Sequence, residues 1–332
     1  MSTALPVSSG IRRRQVEFDV SDAIGTGEEL KQCAWVFEPD RDSAIEGAIL
    51  CLAGGTYDKQ YWHLTVPDYE DYSFAEHMAR RGFVVVTLDH LATGDSSDPT
   101  TSGNVGLRLL ARGDAEVARQ VTERLKAGTL TTDLEPLPTV TLFGVGHSMG
   151  ACLTTIVQSE YNTYDGVVLL GYGVDITPTT DSSADAEDLS GRIEQSEKIF
   201  RSHTGTPDGA TSTIVPRGPL RALFHAPDVP SAVIAADDAA QSRVPVRAAS
   251  EVTTPGFVRE YAERINVPVF LGLGESDVSP DPWTEPANYR ASDAISLVVL
   301  PGSHHCHNFA TGRRRFWDEI AGWMTQRITL IR

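Results

Sequence analysis

The chain has 332 residues, with 28 Lys and Arg against 45 Asp and Glu, and a formal net charge of -17 at pH 7. This length suits one large domain with an insertion, and the negative charge disfavours nucleic acid and anionic membrane surfaces as partners. No segment has the roughly 18 apolar residues of a membrane helix, and the first residues lack a signal-peptide pattern. We therefore expect a soluble, cytoplasmic protein without nucleic-acid or membrane partners.

The cysteines give no sign of a disulfide framework. Cys33, Cys51, Cys152 and Cys306 lie far apart and form no C-x-x-C pair. We expect reduced thiols, mostly in the core. The chain also shows no internal repeat and no low-complexity tract, so its organisation has to be inferred from periodicity.

The predicted elements begin with two strands, over 15–20 and 31–38, which alternate around a Gly-rich turn and indicate an antiparallel edge hairpin. Short continuous apolar runs then alternate with helical stretches, which is typical of strands buried on both faces of a parallel sheet. This alternation predicts a doubly wound, mostly parallel α/β sheet. The further strands are predicted over 48–54, 83–89, 140–146, 166–173, 267–274 and 295–302, and helices near 72–81, 104–127, 148–159, 284–292 and 312–328.

One long gap interrupts the alternation of strands and helices. Residues 174–266 separate two predicted strands and far exceed an ordinary loop. We predict a helical cap inserted over one end of the sheet, with a disordered surface excursion as the alternative. The helices predicted in this gap cover 187–202, 231–240 and 256–264. The predicted domains are a first core part over 1–177, the cap over 178–262 and a second core part over 263–332.

The stretch GHSMG, residues 146–150, joins a predicted buried strand to a predicted helix. A tight turn at this junction exposes the side chain of its central residue, Ser148, beside free N–H groups of the helix. Glycines at 146 and 150 are needed because the backbone segments approach too closely for side chains. The pattern G-x-S-x-G in this context is typical of a nucleophile elbow, and the alternative is that Ser148 only caps the helix.

A nucleophilic serine needs a histidine base and an acid that orients the base. In an open parallel sheet these groups must lie at the same carboxyl edge as the serine, in the loops after later strands. Those loops contain the sequences GESD at 274–277 and SHHCH at 303–307. They supply Asp and His candidates in the chain order Ser, Asp, His.

Taken together, AGGTYDKQYW, DHLATGDSS, GHSMG, GLGESD and PGSHHCHNF resemble the α/β-hydrolase family over most of the chain. The resemblance implies an α/β-hydrolase fold with a cap. The acid of the family follows a G-x-x-D pattern, which here selects Asp277. Glu275 is a nearby alternative, and Asp175 is another because some members place the acid after the preceding core strand.

The family's base stands in P-G-x-G-H, and this pattern places His305 in that role. His304 occupies a position that is normally small, so it stays an alternative, and His307 is interpreted as a neighbouring polar residue. Consecutive residues in the run HHCH point in divergent directions, unlike the spaced ligand pairs of structural zinc sites. We therefore predict no metal, and the resemblance implies no cofactor.

The oxyanion of an acyl-transfer reaction needs two N–H donors. One is the backbone N–H of Met149, after the nucleophile, and the other comes from the loop after the first long parallel strand. Many relatives begin that loop with His-Gly where this chain has Ala53-Gly54, and alignment on the glycine selects Gly55. Candidate substrate contacts are Thr56, Tyr57, Trp62 and His147, for which ordinary packing is the alternative.

The sequence thus predicts a cofactor-free serine hydrolase that acts on a small or medium organic ester, lactone or thioester through an acyl-enzyme on Ser148. The same residues also suit carbon–carbon bond hydrolysis or acyl transfer, and a non-catalytic ligand-binding receptor is the alternative outside enzymes. Serine in place of aspartate at 148 argues against epoxide and haloalkane hydrolases. The sequence AGGTYDKQ lacks the G-x-G-x-x-G of a dehydrogenase. A homodimer is compatible with the composition, and no residue decides the oligomeric state.

Overall fold

A computed structural model describes residues 11–40, 43–99, 104–176 and 188–331. Its strands are β1 (Arg12–Asp19), β2 (Lys31–Glu38), β3 (Gly47–Leu52), β4 (Phe83–Leu88), β5 (Leu142–His147), β6 (Gly166–Leu170), β7 (Ser212–Thr213), β8 (Val244–Pro245), β9 (Val269–Gly274) and β10 (Ile295–Leu300). Eight of them form one sheet in the order β1-β2-β4-β3-β5-β6-β9-β10. β1 and β2 pair antiparallel at the edge, and from β4 onward the neighbours are parallel. The predicted hairpin and the predicted mostly parallel sheet are confirmed.

Ten helices accompany the sheet in the described residues. They are α1 (Ser21–Ile24), α2 (Phe74–Ala79), α3 (Leu107–Ala127), α4 (Met149–Tyr161), α5 (Leu189–Thr204), α6 (Arg221–Phe224), α7 (Ser231–Ala239), α8 (Val246–Val252), α9 (Arg259–Ala262) and α10 (Arg313–Ile331). Short 3-10 turns cover Lys59–Trp62, Gly218–Leu220, Glu285–Asn288 and His307–Phe309.

The two faces of the sheet carry separate apolar layers. Successive side chains of a strand point to opposite faces, so Leu50 of β3 packs into the layer that contains α3 and α4. Its neighbour Ile49 packs into the layer with α2 and α10. Burial on both faces explains why β3 to β6 read as continuous apolar runs rather than as alternating strands.

The long gap in the sequence corresponds to α5 to α9 and the small antiparallel pair of β7 with β8, all between β6 and β9. Its segments contact the carboxyl edge of the sheet. The N–H groups of His305 and Cys306 donate to the carbonyls of Leu223 and Phe224 at 3.1 and 3.0 Å. The predicted boundary at 177–178 lies outside the described residues, so the extent of a cap over 178–262 remains a proposal.

The predicted helix over 284–292 is wrong in length and type. The structure has only the 3-10 turn Glu285–Asn288, with Pro286 in its first turn. Glu285 is buried there because its carboxylate accepts the N–H of Val174 at 2.9 Å and the hydroxyl of Ser279 at 2.8 Å. These contacts hold the segment against the loop after β6 and fix a turn where the sequence pattern suggested a longer helix.

The structure also bears on membrane-crossing helices and on the state of the cysteines. Within those ranges, no helix combines the length and the apolar character that crossing a bilayer requires. All four cysteines are buried and free of disulfides.

Candidate active site

Ser148 lies in the sharp turn between β5 and α4. Its backbone has φ 55° and ψ -120°, a conformation that costs a residue with a side chain about 1–3 kcal/mol. A Cβ on Gly146 would lie 2.2 Å from the carbonyl oxygen of Gly150, and a Cβ on Gly150 would lie 1.9 Å from that of Leu52. Only glycine fits at these two positions. The turn therefore matches the sequence prediction at each of its three defining residues.

The hydroxyl of Ser148 does not cap α4. It lies 3.0 Å from Nε2 of His305, which can accept its proton. Nδ1 of His305 donates to Oδ1 of Asp277 at 2.7 Å. The side chains of His305 and Asp277 are nearly fully buried, whereas Ser148 is partly exposed. The three residues follow β5, β10 and β9, so the carboxyl edge brings them together as predicted.

Asp277 has a second histidine partner that the sequence analysis did not identify. Nε2 of His307 donates to Oδ2 of Asp277 at 2.7 Å. The N–H groups of Gly274 and Val278 donate to the same carboxylate at 2.9 and 2.8 Å. Burial alone would raise the pKa of Asp277, but His305 and His307 outweigh it and hold that pKa well below its usual range. The acid is therefore ionised and fixed in orientation.

The alternative acids and the alternative base have other partners. Glu275 accepts the N–H of Gly302 at 2.7 Å, and Asp175 is paired with Arg259. Nδ1 of His304 donates to the carbonyl oxygen of Ala222 at 2.8 Å. The structure thus brings Asp277 and His305 to Ser148, and it gives Glu275, Asp175 and His304 roles in holding loops.

The two predicted oxyanion donors are neighbours. A Cβ on Gly55 would lie 3.8 Å from Sδ and 3.9 Å from Cβ of Met149. Met149 is the first residue of α4, where N–H groups have no partner within the helix. Among the residues that the structure describes, neither N–H donates a hydrogen bond inside the protein. Both groups are thus free to bind a ligand oxygen.

Of the four candidate substrate contacts, Trp62 and His147 are completely buried. Trp62 packs on Phe74 at 5.1 Å between ring centres. Nε2 of His147 donates to the carbonyl oxygen of His305 at 2.8 Å. Burial, with a smaller contribution from the neighbouring imidazole rings of His305 and His307, lowers the pKa of His147 well below its usual value. His147 therefore supports the histidine loop through the His305 carbonyl, Trp62 is a core packing residue, and contact of either side chain with a substrate stays a prediction.

Thr56 and Tyr57 connect the loop after β3 to the insertion. The carbonyl of Thr56 accepts the N–H of Ser242 at 2.7 Å. The hydroxyl of Tyr57 lies 3.1 Å from a carboxylate oxygen of Asp237 and 3.2 Å from the sulfur of Cys306. Burial raises the pKa of Tyr57 well above its usual value, so it is a neutral phenol. Their contact with a substrate likewise stays a prediction.

Buried polar residues of the insertion surround Tyr57, and no local sequence pattern predicts this cluster. Nε2 of His225 lies 2.9 Å from Asp237, and the guanidinium of Arg217 lies 4.2 Å from the ring centre of Tyr57. Arg217 also donates to the carbonyl of Thr56 at 3.1 Å. Across the described ranges, no group of three or more His, Cys, Asp or Glu side chains is arranged to hold a metal ion.

A doubly wound sheet with a serine on a strained strand-to-helix turn at its carboxyl edge defines the α/β-hydrolase class of folds. The sequence pattern of one family supports the same assignment, because it matches residues 49–319. The chain belongs to the alpha/beta hydrolase family. No curated protein sequence matches it at a significant level.

Solved structures with the same fold include several hydrolases of low sequence identity. A soluble variant of monoglyceride lipase from Saccharomyces cerevisiae shares 14% identity at a TM-score of 0.64, over 90% of this chain and 93% of that one. A thermophilic esterase from Thermogutta terrifontis shares 14% at a TM-score of 0.60, over 95% and 99%. The thioesterase domain from the curacin biosynthetic pathway shares 17% at a TM-score of 0.56, over 95% and 99%.

Proposed function

We propose that the protein is a cofactor-free serine hydrolase that cleaves a small or medium organic ester, lactone or thioester. The observation that carries this proposal is the continuous hydrogen-bonded chain from Ser148 through His305 to Asp277, at 3.0 and 2.7 Å. A serine hydroxyl is a weak nucleophile alone, and an adjacent base with an oriented acid is the arrangement that activates it.

In the proposed reaction, Oγ of Ser148 attacks the substrate carbonyl carbon while Nε2 of His305 takes the hydroxyl proton. Asp277 keeps Nδ1 of His305 protonated and stabilises the cation that forms. The N–H groups of Gly55 and Met149 bind the oxyanion of the tetrahedral intermediate. His305 then protonates the leaving group, which departs to give the acyl-enzyme. Water, activated by His305, releases the acid and restores Ser148.

The surroundings of Ser148 support a small-molecule substrate. The insertion contributes Phe224, whose ring centre lies 5.6 Å from that of His305 and 6.1 Å from that of Tyr57. These contacts give the site an apolar, partly enclosed wall of the kind that excludes water from acyl transfer. The lipase, esterase and thioesterase with the same fold act on ester and thioester bonds, which favours this bond class here.

The first experiment is covalent labelling with a fluorophosphonate probe, followed by intact-mass measurement. We expect one probe per wild-type chain and no labelling of Ser148→Ala or His305→Ala. His304→Ala is the matched control, because His304 is adjacent in sequence but binds Ala222 in the insertion, and it should label like the wild type. Folded wild type that takes up no probe would contradict the proposal and favour a ligand-binding receptor.

A further inference from the structure

A buried histidine outside the proposed reaction holds the loop that carries the Gly55 donor. His90 follows β4 and is fully buried. Its Nε2 lies 3.0 Å from the carbonyl oxygen of Ala53, and its Nδ1 lies 2.9 Å from Oδ2 of Asp114 on α3. Ala53 occupies the start of the loop after β3, two residues before Gly55. His90, which follows the neighbouring strand β4, thus holds the loop after β3 through the carbonyl of Ala53.

The two partners of His90 define its protonation state. The Ala53 carbonyl can only accept a hydrogen bond, and an ionised carboxylate can only accept one as well. Both contacts are therefore satisfied only when both ring nitrogens carry a proton. The other oxygen of Asp114 accepts the amide of Gln32 at 2.9 Å, so this carboxylate is held on both sides.

The charges around His90 favour the cation. Burial alone would lower the pKa of His90, but Asp114 outweighs it and the pKa is raised, with a smaller contribution from Asp89. Asp89 is itself paired with the ammonium of Lys59. These are the charged groups that face His90 from α3, from its own segment and from the turn after β3. The result is a buried imidazolium–carboxylate pair beside the loop.

The position of Ala53 also determines where the two oxyanion donors lie relative to each other. A Cβ on Gly150 would lie 2.7 Å from the Ala53 carbonyl oxygen, and a Cβ on Gly54 would lie 3.0 Å from Cβ of Ser148. The loop is therefore in close contact with the first turn of α4. A shift of the Ala53 carbonyl moves the N–H of Gly55 relative to the N–H of Met149.

We propose that His90 is a positioning residue for the reaction: as a cation paired with Asp114, it fixes the Ala53 carbonyl and so orients the Gly55 N–H toward the oxyanion. This inference rests on the proposed function. It differs from a merely structural role because it affects an interaction that strengthens in the transition state.

The test compares kcat for p-nitrophenyl acetate and for the matching thionoester, in which sulfur replaces the carbonyl oxygen. Sulfur is a weak hydrogen-bond acceptor, so the ester-to-thionoester ratio of kcat measures how well the two N–H donors are placed. His90→Gln keeps one donor and removes the charge. We expect its ester kcat to fall about tenfold with little change in KM, and the ratio to fall with it.

His77→Gln is the matched control. His77 is buried and bound to a carboxylate of Asp318, as His90 is to Asp114, but it lies between α2 and α10. We expect it to lower stability without changing the ester-to-thionoester ratio. An equal loss of the ratio in both variants would show that general destabilisation is the cause and would overturn the inference.

A second measurement covers the case in which His90→Gln does not fold. The wild-type ratio is followed across pH, and we expect it to fall at alkaline pH as His90 loses its proton. Asp114→Asn should move this fall to lower pH, because Asp114 is the group that favours the His90 cation. A wild type that hydrolyses no p-nitrophenyl acetate overturns the proposed function and the inference together. An active wild type with a ratio that does not depend on pH overturns only the inference.

Discussion

At the scale of single residues, the unusual feature of the site is the number of groups that hold Asp277. A carboxylate has room for about four hydrogen bonds, and Asp277 receives four, from two histidines and two backbone N–H groups. His307 is the partner that differs from a minimal Ser-His-Asp arrangement. Its Nε2 approaches Asp277 as closely as Nδ1 of His305 does, at 2.7 Å.

His307 should act on the reaction through Asp277. In His307→Ala, Oδ2 keeps only the N–H of Gly274 and the carboxylate becomes free to rotate away from His305, so we expect kcat to fall about tenfold with KM nearly unchanged. His307→Gln restores an N–H donor and should recover most of the loss. The measurement is steady-state kinetics on p-nitrophenyl acetate. Equal kcat in His307→Ala and wild type would show that three hydrogen bonds are enough to hold Asp277.

At the scale of elements, the turn from β5 to α4 depends on close backbone contact with β3. Gly150 has no room for a side chain, since its Cβ would lie 1.9 Å from the carbonyl oxygen of Leu52. By contrast, a Cβ on Gly322, inside α10, would meet nothing within 4 Å. The same change to alanine should therefore have opposite effects on the free energy of unfolding at these two positions.

We expect Gly150→Ala to lower the free energy of unfolding by about 3 kcal/mol or more and to abolish fluorophosphonate labelling, because α4 must move away from β3. Gly322→Ala should raise the free energy of unfolding by about 0.5–1 kcal/mol, because alanine favours a helix interior. Urea denaturation measures both. Normal labelling by a stable Gly150→Ala protein would contradict the geometry of the turn.

Sequence patterns predict the elements of this fold better than the contacts between them. Ser148, Asp277 and His305 are accessible to sequence reasoning because each follows a buried parallel strand, and the carboxyl edge brings such residues together. His90 also follows a strand, at DH in 89–90, but its partners Ala53 and Asp114 come from the loop after β3 and from α3. Nothing local in the sequence specifies that pairing. The same holds for the polar residues of the insertion around Tyr57.

At the scale of the whole molecule, several histidines that are buried or partly buried are held neutral. Burial, together with a nearby arginine, lowers the pKa of His63 and that of His77 from 6.5 to about 4, and the pKa of His147 lies well below its usual value. Since the folded state disfavours their protonation, the stability they contribute is present above pH 6.5. It is lost as pH falls below 6.5 toward 4, because the unfolded chain binds protons first.

The protein should therefore lose stability on acidification well before its carboxylates titrate. We expect the free energy of unfolding, from urea titrations between pH 7 and pH 4, to decrease steadily. His63→Gln removes one of these groups, and its curve should be shallower than that of the wild type over the same range. Parallel curves for the two proteins would show that His63 binds protons equally well in both states.

The backbone hydrogen bonds from His305 and Cys306 to Leu223 and Phe224 make the histidine loop and the insertion one local unit. If the segment around α6 opens, the loop that holds His305 loses two of its anchors while the eight-stranded sheet stays intact. Local opening of this kind requires less free energy than global unfolding. We therefore expect heat or mild denaturant to abolish activity while the eight-stranded sheet is still folded. On return to mild conditions, activity should recover without refolding of the core.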